Sequence, residues 1–207
     1  MFMSDDVFNM RGDKVTSYVM FTFANSCMPT LLNEKPSSLV CFQKKYIENK
    51  ESFFLILKEE SGQFKCYYKV LYENETAFYV IIYQREFLKK VLDRYCNNGI
   101  LKENGYRKGQ ENFDYNLLHF KVRFQCFKEN KRNDFPHEVG IFLGYPIIDV
   151  EEFIKNKGEN YMLCGYWKVY HNVEEAGRTF ELFRRQRENA MELFFAGRDL
   201  RELVLSA

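Results

Sequence analysis

A thiol at Cys27, an imidazole at His137 and carboxylates at Glu138 and Asp149 are the side chains of this 207-residue sequence whose types suit covalent chemistry. Thiol catalysis needs a nucleophile within hydrogen-bond reach of a base, and a third group that orients the base. Cys27 is the candidate nucleophile, His137 its base or ion-pair partner, and Glu138 or Asp149 the orienting group. Residues this far apart meet only through the fold. As chain neighbours, His137 and Glu138 point in different directions on a strand or a helix, so Glu138 is a poor orienter of His137. Cys27 lies two residues before Pro29, at a predicted helix junction. A helix N-terminus facing it would lower its pKa, whereas the plain alternative is a small buried packing residue.

A second set of residues suits binding rather than catalysis. Lys35, Glu138, Gly144, Tyr145, Trp167 and Lys168 combine aromatic surface with cations, as in a pocket for a small anionic or aromatic ligand or a groove for a partner protein. This ligand- or partner-binding module is the leading functional expectation, with the Cys27–His137 enzyme as its alternative. Its plain counterpart is that Tyr145 and Trp167 simply fill the core. The six cysteines form no C-x-x-C pair, so the spacing supports no metal site, names no cofactor and predicts free thiols in a cytosolic protein.

Thirty basic and 29 acidic side chains nearly cancel, which argues against a non-specific nucleic-acid binder. Arg178, Arg184, Arg185 and Arg187, extended by Arg198 and Arg201, interleave with Glu181, Glu188 and Glu192, the pattern of a salt-bridged solvent face. The first 14 residues, MFMSDDVFNMRGDK, have acids where a secretory leader needs a basic and then an apolar region. Apolar stretches fall far short of the roughly 20 residues that cross a bilayer. The expectation is a soluble, cytoplasmic protein with no membrane partner.

These residues must be positioned by a mixed fold. Helical spacing runs from Asp13 to about Asn25, with Pro29 as its stop. Residues 53–59 (FFLILKE), 64–72 and 77–83 read as β-runs of an antiparallel meander, with the third, most apolar run at its centre. Further helices are expected over 85–96, from Asp114 to about Phe127, and from Pro146 to Asn156-Lys157-Gly158. The polar segment 102–112 reads as a mobile surface loop. Tyr161 to Tyr170 reads as a strand in which Gly165 permits close backbone approach. A long helix capped by Asn172 and Glu175 follows, then a short one over 199–205. The fold class is therefore α+β: one domain over residues 1–207, with an antiparallel sheet of about four strands covered mainly on one side by helices.

The run His137-Glu138-Val139-Gly140-Ile141-Phe142-Leu143-Gly144-Tyr145-Pro146 resembles the hallmark of the bacterial family DUF3793. Asp149-Val150, Phe153-Ile154, the run Gly165-Tyr166-Trp167-Lys168-Val169-Tyr170, and Cys27, Pro29, Thr30, Leu31 and Lys35 carry the same resemblance. It is specific over residues 135–195 and good over 25–40. Asn33 stands where a glycine is usual, and His171-Asn172 where Gly-Asp is usual. The resemblance implies the extent of the domain and the place of the site, and carries no activity.

Overall fold

The computed structural model describes residues 13–131 and 134–205. The reading of the leader, made on the first 14 residues, falls almost wholly outside them. The fold is α+β, and the chain divides into two compact units, Met1–Gln84 with Arg184–Ala207, and Arg85–Phe183.

The first unit opens with α1 (Lys14–Ser26), capped by Asp13, whose carboxylate accepts the Thr16 backbone N–H at 2.9 Å. Pro29 does not stop α1. It lies in the first turn of α2 (Met28–Leu31), where its missing N–H costs no helical bond, and Cys27 is the joint between the two helices. Strands β1 (Ser37–Gln43), β2 (Tyr67–Glu73) and β3 (Ala77–Tyr83) form an antiparallel sheet of order β1-β3-β2, so the most apolar run is central as expected. Alternate residues Val40 and Phe42 of β1 and Phe78, Val80 and Ile82 of β3 share a core with Val19 and Phe23 of α1.

The expected strand over 53–59 is instead part of helix α3 (Lys50–Gln63), which leaves three strands in this sheet rather than four. Asn49 caps the helix, its side-chain oxygen accepting the Ser52 N–H at 2.8 Å. Phe53, Leu57 and Ser61 then recur every fourth residue on the buried side, leaving Leu55 exposed. A continuous apolar run fits either period, and the cap decides it.

The second unit contains α4 (Arg85–Tyr95), α5 (Gly99–Glu103), α6 (Phe113–Lys128), α7 (Val139–Phe142), α8 (Ile147–Lys155) and a hairpin of β4 (Leu163–Cys164) and β5 (Lys168–Val169). Helix α9 (Val173–Phe195) begins in this unit and ends in the first, which also holds α10 (Glu202–Leu205). Asp114 pairs with Arg85 at 2.8 Å within the first turn of α6 and does not cap it. Segment 102–112 is tied down at several points. Its Tyr106 is buried, Asn116 brackets the Arg107 peptide group with bonds of 2.9 and 2.8 Å, and Gly109 N–H donates to Asp93. On α9, Arg178 pairs with Glu174 and Arg184 with Glu188, each one helical turn apart. Among the described residues no helix is long and apolar enough to cross a membrane.

Candidate functional site

The motif running from His137 to Pro146 is a helix with its stop and the start of the next helix. After α7, Gly144 takes φ +77°, its N–H donates to the Ile141 carbonyl at 3.0 Å, and the Tyr145 N–H reaches back to the Gly140 carbonyl at 2.9 Å. This double bond with a left-handed glycine is a Schellman stop, and it turns the chain so that Pro146 caps α8. Gly140 lets the two short helices approach, because an added Cβ would lie 2.8 Å from Val150 Cγ2. Helix α8 ends in the same way, with Gly158 N–H bonded to the Phe153 carbonyl at 2.8 Å and Lys157 N–H to Ile154 at 3.2 Å.

Glu138 and Asp149, the two carboxylates of this region, are 1% and 2% exposed. Glu138 is gripped by both arms of the Arg123 guanidinium, from α6, and accepts the Tyr106 hydroxyl at 3.0 Å. Burial, and then the Glu138 charge, push the Tyr106 phenol well above its ordinary pKa, so it stays a neutral donor. Asp149 accepts the Trp167 indole N–H at 2.8 Å through one oxygen, and the Tyr170 and His171 backbone N–H groups at 2.8 and 3.1 Å through the other. Both carboxylates are thus committed to holding elements together. Sequence reasoning missed Arg123 and Tyr106. The available signal was an arginine one turn from Phe120 and Phe127 on an otherwise apolar flank of α6, which needs an interior anion.

The expected strand from Tyr161 to Tyr170 is a tight hairpin instead, since Asp149 draws in the backbone at both Tyr170 and His171 and the chain reverses between Cys164 and Lys168. Trp167 stacks on Tyr145 with centroids 5.2 Å apart and meets Phe180 of α9 edge-on at 4.5 Å. Tyr166 rests on Phe180 and Phe183. Gly165 has the close approach expected of it, because a Cβ there would overlap the Phe180 ring. Gly165→Ala is expected to lower the unfolding free energy by about 1–3 kcal/mol, as overpacking does; urea unfolding followed by Trp167 emission measures it. Lys168 donates to the Gly158 carbonyl at 2.6 Å and lies over the rings of Tyr161 and Phe153, so its charge sits at the C-terminal end of α8, where the helix dipole favours it. The half-buried His137 packs between Phe135 and Phe153, and burial lowers its pKa.

Of the expected ligand residues, Tyr145 and Trp167 therefore meet at the hairpin, Lys168 of the same hairpin packs on the end of α8, Gly144 serves the stop of α7, and Glu138 is turned into the interior. Cys27 and Lys35 belong to the first unit, and His137 to the second. Cys27 is fully buried; burial pushes its thiol well above the ordinary range, Cys66 adds to this, and Lys35 works the other way. The Cys66 thiol, pushed up to about 12 by burial, points at the Thr30 carbonyl, to which Gln84 also donates. Asn33 has φ +61°, a conformation that asparagine tolerates better than most residues.

Burial lowers the Lys35 amine to about 8. The unfolded chain keeps this proton to the ordinary lysine value, so from about pH 8 upward the unfolded state binds more protons and stability gains with pH. Wild type should therefore gain stability relative to Lys35→Met between pH 8 and 10. Denaturant midpoints that stay parallel over that range would contradict a depressed Lys35.

Among the described residues no group of three or more His, Cys, Asp or Glu side chains is arranged to hold a metal ion. Residues 23–204 match the family described as "Protein of unknown function (DUF3793)". The matched span includes every motif described above. No curated protein and no solved structure matches the chain.

Proposed function

The chain belongs to the DUF3793 family, and we propose that it is a binding module, taking a small ligand or a partner at the aromatic surface of the hairpin. The observation that carries this reading is the Tyr145–Trp167–Phe180 cluster, whose indole is locked by Asp149 while its rim stays in solvent. Tyr166 is 40% and Met162 60% exposed beside it. Rigid aromatic side chains offer contact area without the entropy cost of ordering a flexible surface. A cytoplasmic setting belongs to the same proposal and rests on the six cysteines, all present as thiols.

Trp167 is the only tryptophan, so its emission is a built-in reporter. Small-molecule fragments that occupy the site should shift it saturably, and an emission indifferent to every fragment would count against the proposal. The thiol-enzyme alternative makes the opposite demand on Cys27. With iodoacetamide, the exposed Cys41 and Cys164 should react first, and the buried Cys27 and Cys66 only on unfolding. A Cys27 that alkylates fastest, and slows in His137→Ala, would restore the enzyme reading.

A further inference from the structure

We draw no further inference here: the strongest candidate, the exposed thiol of Cys164 opposite Lys168 across the β4–β5 hairpin, is a lone cysteine whose neighbouring amine is already bonded to the Gly158 carbonyl, and nothing beside it among the described residues points to a ligand.

Discussion

Asp149→Ala should lower the unfolding free energy by about 3–6 kcal/mol: three donors lose their acceptor at about 1–3 kcal/mol each, and the two that are only part-buried fall low in that range. The donors are the Trp167 indole and the backbone N–H groups of Tyr170 and His171. Asp149→Asn separates them. An asparagine oxygen in place of the one that serves Tyr170 and His171 keeps both backbone bonds. Its amide group then faces the indole N–H, donor against donor. The asparagine variant should therefore lose less than half as much stability as the alanine variant, yet show Trp167 emission shifted toward that of an exposed indole. Denaturant unfolding gives the first quantity and the native spectrum the second. An asparagine variant with wild-type emission would mean that Asp149 does not anchor Trp167, and the preorganised surface would lose its cause.

Glu138→Ala should cost about 3–5 kcal/mol, because it removes the hydrogen-bonded counter-charge of the part-buried Arg123 guanidinium and leaves only the Asp134 charge acting on it. Arg123 is almost as deeply enclosed as Glu138, with 11% of its side chain exposed against 1%. Glu138→Gln keeps an acceptor for the Tyr106 hydroxyl but still takes away the arginine's bonded carboxylate, and should fall between wild type and the alanine variant. The double variant Glu138→Met, Arg123→Met removes both charges and fills their volume. Desolvation of two ions is then no longer required, so most of the loss should be recovered. A double variant as unstable as Glu138→Ala would show that this pair contributes more than the cost of burying it. Ligand response at Trp167 should survive in the double variant, since Glu138 contacts Arg123 and Tyr106 rather than the aromatic cluster.

Much of the local structure could be read directly from the residues. The start of α1 near Asp13, the stop at Asn156-Lys157-Gly158, the central place of residues 77–83, the close approach at Gly165 and the interleaved charges of α9 are each visible within a few positions of chain. Capping and period depend on neighbours one turn or one strand step away, and such neighbours are written in order. Residues 53–59 show the limit of that reading, because an unbroken apolar run satisfies both periods and only a cap and a burial face separate them. Segment 102–112 shows another, since its polar composition hides one buried tyrosine whose partner, Glu138, lies 32 residues on.

The sequence by itself determined the α+β class and the family, because those depend on composition, local periodicity and a motif of consecutive residues. Only the tertiary structure decided what each residue of the motif does. It turned Glu138 inward onto Arg123, spent Asp149 on the hairpin, set the Lys168 charge on the end of α8 and gathered Tyr145, Trp167 and Phe180 into one surface. The physical reason is that a buried charge or a fixed ring is defined by its partner. These partners stand 10 to 22 positions away along the chain, wherever packing brings them.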